Sequence, residues 1–210
     1  MGTNMPINTT IEIIKKLQEK KVVLFSLTDF GRLFKIGNQQ TIYKKIQRLV
    51  KIEAVKKLNK GKYLFIMGKN TGLDPGQEFK IANFLHQPSY VSLESALSFY
   101  GVITGFVYEI VSVTPKKTKT YLVKDKKYSY TQVKQSLYWG YEKNNGFLIA
   151  DKEKALFDYL YLCSKGIRGF DEKEFDLSGL NKKRLFAYMK KSKLQAISKI
   201  YKMIYLLYAH

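Results

Sequence analysis

Residues 26–51 read SLTDFGRLFKIGNQQTIYKKIQRLVK, two amphipathic segments about a short polar break. In the second, Ile42, Ile46, Leu49 and Val50 recur at i, i+4, i+7 and i+8, which predicts a helix over 39–51 with these side chains turned inward. Gln39, Gln40, Thr41, Tyr43, Lys44, Lys45, Gln47 and Arg48 are left for the outer face and the first turn. Amides, a hydroxyl and cations suit base edges and phosphates, and this face has no carboxylate to repel a nucleic-acid backbone. Ser26, with Asp29 three residues on, has the form of an N-cap for a helix over 27–34. Lys35-Ile36-Gly37-Asn38 supplies the turn, where Gly37 tolerates a positive φ and Asn38 can cap the next helix.

The flanking segments extend this pattern. Residues 10–20 predict a helix with Ile11, Ile14 and Leu17 on one face, Ile13 beside them, and Lys15, Lys16 and Glu19 opposite. Residues 22–25 form a short β-branched run. Two strands are predicted at 54–58 and 62–67, joined by Asn59-Lys60-Gly61, which has hairpin-turn chemistry. Helix, strand, helix, turn, helix, hairpin is the order of a winged helix-turn-helix, and it assigns residues 1–70 to a DNA-binding domain. Asn59, Lys60 and Lys62, with Lys56 and Lys57 behind them, place a phosphate or minor-groove contact on the wing. Two duller readings compete: a lysine-rich helix is often only a solvated face, and helix-turn-helix units also serve protein contacts.

The charge agrees with a polyanionic partner. The 210 residues hold 37 Lys and Arg against 17 Asp and Glu, a formal net charge of +20. Self-repulsion of that size works against compaction, and the surplus is densest in residues 1–75, with 15 basic and 5 acidic side chains. Nearly all the basic residues are lysine, so a general lysine bias is a competing cause. A composition 45% hydrophobic and 26% charged excludes wholesale disorder. Apolar runs such as 203–209 fall far short of the roughly 18 residues that span a bilayer. In residues 1–25, Glu12, Lys15 and Lys16 interrupt any signal-like stretch. The single cysteine, Cys163, permits no internal disulfide, and His86 and His210 do not make a metal site. The expectation is a soluble, cytoplasmic protein without metal, cofactor or membrane partner.

Residues 68–76 are turn-rich and mark the boundary to a second domain over 77–210. There an α+β fold is predicted, with a small, mainly antiparallel sheet flanked by helices. Helices are expected at 78–86, after Ser92 with Ala96, Leu97 and Phe99 inward and Gly101 as the stop, after Asp151, and over 181–189 and 194–208. The helix after Asp151 should bury Ala155, Leu156, Tyr159 and Leu160 on one side. Strands are expected at 107–113, 120–123, 128–133 and 136–141.

Several constellations in this domain carry a sharper and a blander reading. Asp151-Lys-Glu-Lys154 with Asp158 has the residue types of a Mg²⁺ nuclease, but acids at a helix N-terminus simply complement the helix dipole. No glycine-rich phosphate loop is present. Cys163 follows an apolar helix and reads as core. Tyr138, Trp139 and Tyr141 could stack on bases, although packing against helices explains them as well. Lys116, Lys117 and Lys119, with Lys124, Lys126 and Lys127, form either a second basic patch or the protection of a sheet edge.

Residues 88–101, PSYVSLESALSFYG, followed by Ser112-Val-Thr114 and by 149–158, IADKEKALFD, resemble in content and order the AbiEi family of antitoxin/transcriptional regulators. In that family a winged-helix domain precedes an α+β domain with these three blocks, and the resemblance spans about residues 10–165. It implies a non-enzymatic antitoxin of an abortive-infection toxin–antitoxin operon. Such a protein represses its own promoter on double-stranded DNA, at inverted repeats and as a possible homodimer. Its C-terminal domain counters a nucleotidyltransferase-like toxin. Only the recognition-helix and wing positions carry over as DNA contacts. The rival reading is a non-catalytic protein-binding module that contacts the toxin directly and has little specific DNA affinity.

Overall fold

Thr9 and Glu12 close a reciprocal capping box, in which the Glu12 amide donates to the Thr9 hydroxyl at 3.3 Å and the Thr9 amide to the Glu12 carboxylate at 3.0 Å. There α1 (Thr10–Glu19) begins. The computed structural model describes residues 9–67, 75–104, 108–123, 125–192 and 197–208. The chain divides into two units, Met1–Leu73 and Asp74–His210, and residues 68–74 of the expected boundary lie outside the described residues.

In the first unit α1 is followed by β1 (Leu24–Ser26), α2 (Leu27–Phe34), α3 (Gln39–Lys51), β2 (Val55–Asn59) and β3 (Lys62–Phe65). The three strands form an antiparallel sheet in the order β1-β3-β2. Ile13 and Leu17, one turn apart, enter the core beside α3, whereas Ile11 stands 67% exposed. The face expected of α1 is therefore corrected, because Ile11 lies across the helix from the side that meets α3. Phe25, Phe30, Ile46, Leu49 and Ala54 are buried with Tyr63, whose ring stacks on Phe25 at 5.7 Å. Gly31 lets α2 approach α3, since a Cβ there would sit 2.8 Å from Ile42 Cδ1 and 3.0 Å from the Ile36 carbonyl oxygen.

The second unit is also α+β, with a sheet larger than the small one expected. It contains α4 (Pro75–Leu85), β4 (Tyr90–Val91), α5 (Leu93–Phe99), β5 (Glu109–Thr114), β6 (Lys119–Val123), β7 (Lys126–Gln132), β8 (Tyr141–Asn144), β9 (Phe147–Ala150), α6 (Lys152–Ser164), α7 (Lys182–Ser192) and α8 (Ile197–Tyr208). Six strands run β6-β7-β5-β4-β9-β8. The layout is mixed: β4/β9 and β5/β7 pair parallel, while β4/β5, β6/β7 and β8/β9 pair antiparallel.

Three local expectations are also corrected. The strand expected at 136–141 is a 3₁₀ turn, Gln135–Leu137, with β8 beginning only at Tyr141. Phe99 is 43% exposed rather than inward. Ser92 sits at the N-cap of α5 without a capping hydrogen bond, because its hydroxyl donates to Asp158. Of the strand expected at 107–113, Val107 lies outside the described residues, as do residues 193–196 beside the last helix.

α6 is not one-sided. Every residue from Glu153 to Cys163 is buried, because α5, β9, α7 and α8 all pack around the helix. Its two charged residues one turn apart, Lys154 and Asp158, are both fully buried and form an ion pair. Lys154 Nζ also donates to the Tyr90 hydroxyl at 3.1 Å and lies 4.7 Å from the centroid of Trp139. The second Asp158 oxygen accepts from Tyr90 and Ser92, each at 2.9 Å. Burial pushes the Asp158 carboxyl up from its ordinary value, against the pull of Lys154, Ser92 and Tyr90. Every charge and hydroxyl in the cluster has a partner, the condition under which such a group is tolerated in a core.

Gly140 makes room for this lysine. It sits at φ 76°, and a Cβ there would come within 2.8 Å of Lys154 Cγ and 2.9 Å of its Cδ. Gly140→Ala is expected to destabilise the protein by about 2–4 kcal/mol, from left-handed backbone strain together with overpacking. Urea denaturation measures this; a loss below about half a kcal/mol would mean that the lysine stem is free to move aside. Among the described residues, no helix is long and apolar enough to cross a membrane.

Candidate nucleic-acid interface

α2 and α3 are set by their caps. At α2, the Ser26 hydroxyl and amide both donate to Asp29, and the Asp29 amide donates back to Ser26 Oγ at 3.1 Å. These Ser26 bonds hold the Asp29 carboxyl below its ordinary value. At α3, the Thr41 amide donates to Asn38 Oδ1 at 3.0 Å. Between them Lys35 ends α2 in the left-handed region at φ 53°, so the positive φ falls on Lys35 rather than on Gly37.

Ile42, Ile46 and Leu49 are buried, and Val50 is half-buried against the same core. The helical period then places Gln40, Lys44, Gln47, Arg48 and Lys51 in one row on the opposite side. Gln40, Lys44, Arg48 and Lys51 are exposed and Gln47 is half-buried. Tyr43, 48% exposed, and the exposed Thr41 border this row, and exposed Gln39 lies at the N-terminal turn. Lys45 is half-buried and lies toward the inner side. The first turn carries no acid, leaving the positive end of the helix dipole unopposed, and Arg48 and Lys51 complement its negative end. Lys51 was not among the residues expected; it continues the Gln40–Lys44–Gln47 side of the helix by one further turn and follows from the same period.

The hairpin is braced at its tip. Gly61 takes φ 73°, its carbonyl accepts from the Leu27 amide at 3.1 Å, and Asn59 Oδ1 accepts from the Lys60 amide at 2.7 Å. Lys60 is exposed, while Asn59 and Lys62 are half-buried. The Asn59 side chain is thus engaged in holding the turn, and Lys60 is the cation at its apex.

Most of the other candidates among the described residues have structural partners. Asp151 caps α6, accepting from the Lys154 amide at 2.8 Å and from the Tyr188 hydroxyl at 2.6 Å. Glu153 accepts from the Asn181 amide at 2.8 Å. Asp158 belongs to the buried ion pair, so the three carboxylates do not converge on a common point. Among the described residues no group of three or more His, Cys, Asp and Glu is placed to hold a metal ion. Cys163 is buried, donates to the Gly169 carbonyl at 3.1 Å, and has its thiol pushed up to about 11 by burial.

Trp139 is not on a strand; it stacks on Phe157 at 5.8 Å, and Tyr138 and Tyr141 pack against Tyr90. His86 Nδ1 lies 3.3 Å from the Tyr121 hydroxyl. Lys126 pairs with Glu78 and Lys127 with Glu109. Lys119 lies on the edge strand β6, and Lys124 and His210 lie outside the described residues. Compared with known proteins, the chain matches no family model and no curated protein.

Proposed function

We propose that this protein is an AbiEi-type antitoxin and a transcriptional autorepressor. Its first unit acts as a winged helix-turn-helix that reads operator DNA in the cytoplasm. α3 enters the major groove as the recognition helix, the β2–β3 hairpin is the wing, and Lys60 meets phosphate or the minor groove. The observation that carries this reading is the row Gln40, Lys44, Gln47, Arg48 and Lys51. Two amides and three cations share one helix side, exposed at all but Gln47, that holds no carboxylate. Repression is steric: a protein seated on the promoter repeats excludes polymerase. The second unit counters a nucleotidyltransferase-like toxin.

The three sequence blocks behind the AbiEi resemblance support this reading by meeting in one core. Val91 of the first block pairs with Ser112 of the second and Ile149 of the third, while Tyr90 and Ser92 bond Asp158. The test is fluorescence anisotropy with the duplex upstream of the protein's own gene, against a scrambled duplex, across a salt series. A preference of roughly 10³-fold or more near physiological salt is expected. Equal affinities that collapse together with salt would overturn the repressor and leave the rival reading, a protein-binding module that meets the toxin directly.

A further inference from the structure

From Leu177 to His210 the chain carries eight Lys and Arg and no Asp or Glu. This segment lies beyond the reach of the AbiEi resemblance and contains α7 and α8, both of which pack on α6. Part of its charge is committed locally. Arg184 lies 3.4 Å from Asp151, and Lys191 caps the Trp139 ring at 4.4 Å. Lys183, Lys190, Lys199 and Lys202 are exposed.

The same surface shows aromatic rings. Phe186 is 39% exposed, Tyr201 45% and Tyr205 74%. Phe186 and Tyr201 stack across the two helices, 5.8 Å apart and 22° from parallel. Tyr205 follows Tyr201 by one turn, on the same side of α8. Lysines border these rings at helical spacing: Lys183 and Lys190 lie three residues before and four after Phe186, and Lys202 lies three before Tyr205.

We propose that this α7–α8 face binds single-stranded nucleic acid, with bases stacking on Phe186, Tyr201 and Tyr205 and phosphates held by Lys183, Lys190 and Lys202. Rings with bordering cations are the recurrent construction of such sites, because every base offers a π-face and every linkage one negative charge; α7 and α8 carry no carboxylate of their own, and the acidic 3₁₀ turn Glu172–Glu174 also packs on α8. Three observations favour this occupant. Ile200 and Ile204 of α8 are buried, and among the described side chains Tyr201 and Tyr205 are exposed more than the aliphatic Leu206, at 37%, whereas a lipid surface takes up an aliphatic face. A second copy of the chain would bring the same lysines face to face. Duplex DNA keeps its bases stacked inside and offers no ring faces to these side chains.

The site does not depend on the operator reading, and the test separates the two. The 210-residue chain carrying Lys44→Glu and Arg48→Glu, which disables the row on α3, is titrated into labelled oligouridine and oligothymidine of about twelve nucleotides. Salt-sensitive binding is expected to persist in this background. Tyr205→Ala, a change at an exposed ring, should weaken binding about tenfold or more. Lys190→Glu with Lys202→Glu should do the same and flatten the salt dependence. In the otherwise native chain neither change should alter operator-duplex affinity, and circular dichroism should show unchanged folding. Tighter binding of the ribo-oligomer assigns RNA as the source, and tighter binding of the deoxy-oligomer assigns single-stranded DNA. Unchanged oligomer affinity in both variants overturns the proposal. So does a loss confined to phosphatidylserine vesicles, which would assign the face to a membrane surface.

Discussion

Exchanging Lys44 and Arg48 for glutamate is expected, on the proposed operator reading, to lower affinity for the duplex by about a hundredfold or more, because both replacements fall in the outward row of α3. With α3 in the major groove as proposed, each replaces a cation facing the DNA with a repelling carboxylate. One good side-chain-to-base contact is worth about 1–3 kcal/mol of discrimination, and each lost phosphate contact lowers the salt slope by about one. The fold should survive, since both side chains are exposed and the core side of α3 is Ile42, Ile46 and Leu49. Lys117→Glu with Lys134→Glu is the matched control, an equal charge change at exposed positions of the second unit. Anisotropy against operator and scrambled duplexes decides between readout and bulk charge. A control that weakens operator binding as much as the α3 variant would mean that net charge alone accounts for the binding. A variant that keeps its operator preference would remove α3 as the recognition helix.

Replacing Lys154 with methionine is expected to destabilise the second unit by about 3–5 kcal/mol, the cost of leaving one partner of a buried pair uncompensated. The carboxylate of Asp158 would remain, fully buried, with only the hydroxyls of Tyr90 and Ser92 to hold it. In a thermal melt the transition should fall by on the order of 10 °C. Adding Asp158→Asn removes the stranded charge while keeping an acceptor for both hydroxyls. The double variant should therefore be more stable than Lys154→Met alone, with a coupling of at least about 1 kcal/mol. Strictly additive losses, or a single-variant loss below about 1 kcal/mol, would mean that the lysine reaches water in solution and the pair is not sealed. Because the cluster ties β4 to α6, its loss should also reduce the antitoxin activity proposed for the second unit.

Legibility followed the range of the interaction. The caps at Ser26 and Asn38 and the bounds of α2 and α3 could be read directly, because an N-cap joins residues three apart and a helix face repeats every three or four. The hairpin turn at Asn59-Lys60-Gly61 was legible for the same reason: its chemistry is that of adjacent residues. Period alone misplaced Ile11, since several faces of α1 carry isoleucine and only the packing of α3 selects between them. In the second unit β4 is two residues long, too short to leave a pattern, yet it is the strand that joins β5 to β9. The run Phe147–Ala150 carries no alternation because β9 lies between β4 and β8 inside the sheet. Lys51, by contrast, could have been found from the period that placed Lys44 and Arg48 on the outer side.

By itself, then, the sequence determined the α+β class, the capped helices of the first unit, the acid-free outer row of α3 and the basic, acid-free C-terminal segment. All of these depend on residue type and on neighbours within about one or two helical turns. Tertiary structure alone decided the six-stranded mixed order and the burial of Lys154 with Asp158. It also brought Phe186 against Tyr201. The physical reason is separation along the chain: Tyr90 meets Asp158 across 68 residues and Lys154 across 64. Whether a charge there is solvated or sealed is set by the segments that fold over it, not by its own neighbours in sequence.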